Sequence, residues 1–278
     1  MNYMSFRALL VAYFIFLVAP YTPLFADTCE RFLEKGLLDD LKDFPDQNSE
    51  RQKYTYELFQ RAGVPPAHLQ VQKVSRGFHN IFIFKPGKGG RTLVISAHHD
   101  VLGVGSKGII DNAAAIMAIR DLYLELKDKE TNHNLVFAIF ALEEIGHPAG
   151  SEKYVASLTP EQLSKIDAMV ALECLAVDGN STWADASKHL LKIFHQAATA
   201  IGAPLKELPA PGPYGPYNDS FPFIQHGVSA ISLFGLSSQE VADSILHSAD
   251  DNMSAFNLSQ YQENYELLKK IVTALDLL

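Results

Sequence analysis

NLVFAIFALEE, residues 134–144, is the stretch on which the reading of this chain turns. Eight of its first nine residues are apolar and none is Gly or Pro, the pattern of a strand buried on both faces near the middle of a sheet. It stops on two adjacent carboxylates, Glu143 and Glu144. Side chains alternate along a strand, so the two acids are expected to face opposite sides, one serving a metal and the other a proton. Taken alone, two glutamates meeting water at a strand end is the more ordinary reading. The rest of the chain argues against it.

Upstream, TLVISA (92–97) is a second buried strand and runs into His98, His99 and Asp100. A loop leads to Asp111 and Asn112, where AAAIMAIRDLYLEL takes up helical spacing. Downstream, a short helix opens at Gly150 and Ser151, AMVAL (168–172) ends on Glu173, and residues 186–201 form an amphipathic helix. A loop rich in Pro, Gly and Tyr crosses to a short helix around Phe221. Residues 228–234 are another strand, and a polar turn carries Leu246 and His247. The last helix starts at Leu258 and sets Tyr261, Tyr265, Leu268, Val272 and Leu275 on one stripe. Before all of these, two helices flank a turn at Pro45 and Asp46, and residues 80–84 form a strand closed by PGKGG. That Gly-rich turn lacks phosphate-loop spacing. Strands that alternate with helices predict an α/β fold, a three-layer α/β/α sandwich on a mixed, mostly parallel central sheet.

With 278 residues, 47% hydrophobic and 20% charged, the chain has ample material for one large α/β domain. Its net charge of −9 argues against nucleic acid or an anionic membrane as partner. Residues 1–26 carry Arg7, an uncharged apolar run at 8–19 and Ala26 before Asp27, the layout of a secretory signal peptide. The expected mature protein is therefore residues 27–278, secreted or periplasmic, with no membrane partner once the leader is removed. Cys29 and Cys174 are the two cysteines, and nothing in the sequence brings them together.

His98, Asp111, Glu144, Glu173 and His247 thus all sit just past strands, where open α/β sheets collect their ligands. Carboxylates and imidazoles are donors for zinc-like ions. Three carboxylates crowded together need compensating charge. Two divalent ions and a bridging hydroxide would balance them, whereas one ion would leave Glu173 needing a proton or a donor.

Four segments, SAHHDV (96–101), IIDNAA (109–114), FALEEIG (140–146) and ILHSADDN (245–252), resemble the co-catalytic zinc exopeptidases typified by bacterial leucyl aminopeptidases. The same peptidase clan holds the glutaminyl cyclases. FHNIFIFKPG and NDSFPFIQHGVSAISLF are similar to family segments as well. The resemblance implies two ions, most simply zinc, with Asp111 bridging, His98 and Glu173 on one ion, and Glu144 and His247 on the other. It implies Glu143 as general base and Asp100 as the partner that orients His98. Asp251 resembles the acid that follows the family's last His. Glu173 stands where many members have Asp. Asp219 matches the S-D of an S-D-H-like segment, and Tyr214 or Tyr217 are oxyanion candidates. His99 is read as a spectator, and His79, His133, His147, His189, His195 and His226 as structural, loop or surface residues. Trp183 is open between a pocket wall and a loop cap.

The activity implied is removal of an N-terminal residue from a peptide with a free N-terminus. A single-zinc glutaminyl-peptide cyclotransferase is the alternative. A carboxypeptidase would want guanidinium groups for its substrate's carboxylate, and no arginine follows Arg120. A binding module that has lost catalysis fits poorly with the retained Glu143.

Overall fold

The computed structural model describes residues 36–103, 105–144, 148–184, 186–209 and 218–278. The leader at 1–26, Cys29, His147, Tyr214 and Tyr217 lie outside these residues. Helices α1 (Leu37–Lys42) and α2 (Asn48–Arg61) lead into a hairpin of β1 (Leu69–Ser75) and β2 (Phe78–Lys85). β3 (Thr92–His98) is followed by an irregular turn at Ile109–Ala113 and by α3 (Ala114–Leu126). Next come β4 (Asn134–Phe140), α4 (Ala149–Ser157), α5 (Pro160–Ser164) and β5 (Ile166–Glu173). β6 (Ser181–Trp183), α6 (Lys188–Ile201), β7 (Lys206–Leu208) and α7 (Ser220–Gln225) precede β8 (Ala230–Phe234). The chain closes with α8 (Gln239–Ile245) and α9 (Leu258–Asp276).

The eight strands make one sheet in the order β1-β2-β4-β3-β5-β8-β6-β7. Its centre, β4-β3-β5-β8, is parallel throughout, and β2 and β6 join it antiparallel. The expected mixed, mostly parallel sheet between helical layers is what forms. β4 shows why. Leu135, Phe137 and Ile139 enter the core shared with the α1, α2, α3, α6 and α9 layer, while Val136, Ala138 and Phe140 enter the core with α4 and α7. Each of these side chains except that of Ala138 contributes about 1.5–3 kcal/mol by leaving water. A strand apolar at every position is stable only with both faces covered. α9 buries Tyr261, Tyr265, Leu268, Val272 and Leu275 as its spacing predicts, and Asn257 caps it by accepting from Gln260 N at 3.2 Å.

The sequence reading leaves β1, α5, β6, β7 and α8 unassigned. β1 is a half-exposed edge strand whose Gln and Lys hide the alternation, and β6 and β7 are three residues each, too short to show a period. α8 fully buries only Ala242, with Val241 and Ile245 half-buried beside it, and in seven residues this face is too short to stand out from a polar turn. Among the described residues, no helix is long and apolar enough to cross a membrane.

Candidate metal centre

All five expected ligands come together at the carboxyl edge of the parallel strands. His98 is the last residue of β3 and Glu173 the last of β5. Asp111 lies on the irregular turn between β3 and α3, and His247 follows α8. β4 ends at Phe140, so Glu143 and Glu144 sit on the turn beyond it and not on the strand. This corrects the alternation argument for those two acids. Leu142 is left-handed (φ 63°), and the bent chain sends both carboxylates to the same cleft. Cys174 (φ 52°), Ala176 (φ 81°) and His247 (φ 56°) are the other non-glycine residues with positive φ among those described. Left-handed backbone costs about 1–2 kcal/mol for such residues and gathers where side chains must be aimed.

His98 Nε2 lies 3.1 Å from Asp111 Oδ1, 3.6 Å from Glu173 Oε2 and 4.0 Å from Glu143 Oε2. His247 Nε2 lies 2.8 Å from Glu144 Oε2 and 3.6 Å from Asp111 Oδ2. Asp111 therefore stands between the two imidazoles, one oxygen toward each. His98, Asp111 and Glu144 offer ligand atoms all within 4.8 Å of one another. Glu173 Oε1 is buried with no hydrogen-bond partner among the described residues. An orphaned buried carboxylate oxygen beside a clustered imidazole and acids is what a cation site requires, so the donor set fits a divalent metal.

The supporting contacts are specific. His98 Nδ1 is 3.2 Å from Asp100 O and 3.8 Å from its carboxylate. That carboxylate accepts instead from the backbone N–H groups of Glu143 and Glu144, at 3.2 and 3.1 Å, so Asp100 fixes the turn that carries both acids. Asn112 Nδ2 donates to Glu173 Oε2 at 2.9 Å and to Leu172 O at 2.8 Å. Asp251 accepts from Ile110 N at 2.7 Å and from Ser106 Oγ at 2.8 Å, holding the Asp111 turn. His99 is buried, its Nε2 2.9 Å from His79 O, and takes no part in the cluster.

Protonation follows from crowding. Burial pushes Glu143 well above the usual carboxylate range, with Glu173 and Asp219 adding to it. Burial, and then Asp111, lifts Glu144 to about 7. Burial also raises Glu173. Burial opposes a charged His98, but Asp111, Glu143 and Glu173 outweigh it and hold the imidazole well above its ordinary value. His247 is raised first by its hydrogen bond to Glu144. The cluster keeps protons because acids outnumber cations, and a bound cation would displace them.

Asp219 is wholly buried, with neither carboxylate oxygen hydrogen-bonded among the described residues, and burial pushes its pKa well up. It does not line the cleft; its neighbour Asn218 does. The cleft holds about 330 Å³. A second hollow of about 140 Å³ shares its wall at Cys174, Trp183, Phe234 and Leu246 and extends to Leu208, Leu236 and Ala242. Trp183 packs edge-on against Phe234, with ring centroids 4.8 Å apart. It is thus a pocket wall, the role the sequence left open. Cys174 is buried at this junction.

A solved zinc aminopeptidase from Bacillus subtilis, BSAP, superposes with a TM-score of 0.64 at 19% identity, over 71% of this chain and 50% of that one. This chain thus spans about half the length of that enzyme. The LapA aminopeptidase of Legionella pneumophila gives 0.72 at 16% identity, over 90% of this chain and 74% of the other. A glutaminyl cyclase from an Acidobacteriales bacterium gives 0.67 at 14%, over 96% and 99%. At such identities the likeness is one of fold. Compared by sequence with curated proteins, the chain matches none. The profile of peptidase family M28, however, matches residues 79–272, which run from β2 into α9 and include every residue of the cluster. With that match over more than half of its length, the chain belongs to peptidase family M28.

Proposed function

We propose that this member of the family is an aminopeptidase that works with two zinc ions. The observation that carries the reading is Asp111, set between His98 and His247 with one oxygen toward each. In this reading His98, Asp111 and Glu173 hold one ion, and Asp111, Glu144 and His247 the other. Bound there, zinc supplies Lewis-acid polarisation of the scissile carbonyl and acidifies the attacking water.

The chain's own groups do the rest. Glu143, 4.0 Å from His98 Nε2, lines the cleft, takes the proton from the attacking water and delivers it to the leaving amine. Asp100 keeps Glu143 in place through the backbone bond at Glu143 N. The excess of acids favours a cationic N-terminus. The hollow at Trp183, Phe234 and Leu246 suits an apolar N-terminal side chain. Tyr214 or Tyr217 serves the oxyanion. Asp219, beneath the cleft, holds its proton and keeps Glu143 company without touching substrate. Residues 1–26 are the export leader of this proposal, and 27–278 the mature catalytic domain.

Cyclisation of N-terminal glutaminyl peptides with a single zinc is the second reading. The near-complete overlap with the Acidobacteriales cyclase, 96% of this chain and 99% of that one, favours it. Metal analysis together with aminoacyl-nitroanilide and glutaminyl-peptide assays separates the two. Two ions per chain and release of nitroaniline support the aminopeptidase. One ion and cyclised product support the cyclase, and neither activity sinks both.

A further inference from the structure

Helix α2 lies before the segment that the family profile matches, yet one of its side chains is wired into the metal centre. Arg51 is completely buried. Its Nε donates to His99 O at 2.5 Å, and its Nη1 to Pro45 O and Lys107 O, each at 3.0 Å. Nη2 donates to Gly108 O at 3.1 Å. His99 directly follows His98, and Gly108 opens the turn that carries Asp111. We propose that Arg51 is the positioning residue of the metal centre, joining through these carbonyls the segment that presents His98 to the turn that presents Asp111.

Three further observations support this. First, Gly108 is shaped to the guanidinium: at φ +58° a Cβ there would lie 2.7–2.9 Å from the Arg51 fork atoms. Any side chain at 108 displaces the fork. Second, Gly108 O also accepts from Ala113 N at 3.0 Å, so the oxygen that Arg51 holds is the one on which the Asp111 turn closes. Asp251 grips the same turn from the other side through Ile110 N and Ser106 Oγ. Third, the same face of α2 repeats the grip. Asn48 exchanges two bonds with the Val101 backbone, at 3.1 and 2.8 Å, and Gln52 accepts from His79 N at 2.8 Å.

Geometry selects arginine for this position. A guanidinium offers five donors in a rigid planar fork, and the four carbonyls engage all three of its nitrogens and four of its five N–H groups. Lysine would keep the charge but cannot hold that arrangement. Four backbone carbonyls on one side chain, those of His99 and Gly108 buried and those of Pro45 and Lys107 half-buried, are a larger acceptor set than packing alone creates, and the Phe44 ring lies 4.7 Å from the guanidinium carbon. Partners one step behind a ligand typically change metal affinity 10- to 100-fold when removed.

The inference rests on the metal-centre reading above, and one experiment separates their failures. The full-length protein, R51K, R51M and G108A are compared for zinc affinity by chelator competition and for the visible spectrum of the cobalt-substituted form. Melting temperature and circular dichroism monitor folding. H133A, altered at the opposite edge of the sheet, is the control for lost stability. R51K, R51M and G108A are expected to stay folded, lose 10- to 100-fold in zinc affinity and shift the cobalt spectrum, while H133A keeps both at wild-type values. Folded Arg51 variants with wild-type affinity and spectrum would reduce Arg51 to a scaffold residue and overturn the inference. If R51M does not fold, R51K and G108A decide on the same readouts. Wild-type protein that binds no zinc or cobalt would instead overturn the metal reading.

Discussion

Two polar clusters occupy opposite edges of one sheet, and both set histidine among carboxylates. At the amino edge, His133 Nε2 is 2.9 Å from Asp167 Oδ2 and its Nδ1 is 3.3 Å from Asp276 Oδ1. Arg91 grips Asp167 with two nitrogens, and the backbone N–H groups of Asn132 and His133 donate to Asp276. Every carboxylate oxygen there has a donor. At the carboxyl edge, Asp111, Glu143, Glu144, Glu173 and Asp219 face two imidazoles, and Glu173 Oε1 and both Asp219 oxygens have no partner among the described residues. The protonation behaviour divides the same way. Its hydrogen bond to Arg91 holds Asp167 below the usual carboxylate range, whereas burial pushes Glu143 well above it. A saturated cluster stabilises the fold; an unsaturated one holds interaction capacity in reserve for a ligand.

The contrast can be broken most sharply at Glu143. Glu143→Gln is expected to lower kcat by roughly 10²- to 10⁴-fold, the usual worth of a general base, with metal content unchanged by elemental analysis. Retained turnover would mean that the unsaturated edge owes its chemistry to another group.

Next in size is the pH response of the metal-free protein. Glu144 binds its proton more tightly folded than unfolded, with a pKa of about 7 against an ordinary 4.5, so stability is expected to fall as pH rises from 4.5 through 7. His98 and His247 are raised too, and their contribution, complete below about 6.5, is also lost as pH rises. Asp111 is lowered despite its burial, chiefly by its hydrogen bond to His98, and acts only below the range of interest. Melting curves between pH 5 and 8 should therefore slope downward without metal, and saturating zinc should reverse the slope. A flat metal-free profile would contradict the crowding.

His133→Ala tests the saturated edge. It should cost about 1–2 kcal/mol, the net worth of two lost hydrogen bonds, because the half-buried Asp167 and Asp276 keep Arg91 and the Asn132 and His133 backbone N–H groups as donors, while zinc affinity and turnover remain at wild-type values. Loss of metal would show that the two edges are coupled. The smallest effect is opposite in sign: at pH 8, metal-free Glu143→Gln should melt about 2–4 °C above wild type, because it removes one crowded acid. A lower melting temperature would mean that the acid is satisfied after all.

Which residues stand at strand ends is local information, and the sequence carries it. An uninterrupted apolar run must be covered on both faces, so the run at Asn134–Phe140 and its neighbours determine a parallel centre whose carboxyl edge presents His98, Glu173 and the paired acids. Three matters were decided only in three dimensions. The acids lie on a left-handed turn at Leu142, because a strand's last hydrogen bond depends on its neighbours and not on its own residues. The hollow at Trp183 forms from β6, β8 and α8, of which only β8 is legible in the sequence. Arg51 sits in a helix whose mean composition is polar, and nothing local distinguishes it from a solvated surface arginine. Its burial became possible only when the carbonyls of His99, Lys107 and Gly108, 48 to 57 residues away in the loop after β3, joined that of nearby Pro45 around it, and the burial of a charge depends on partners that the neighbouring sequence mostly does not contain.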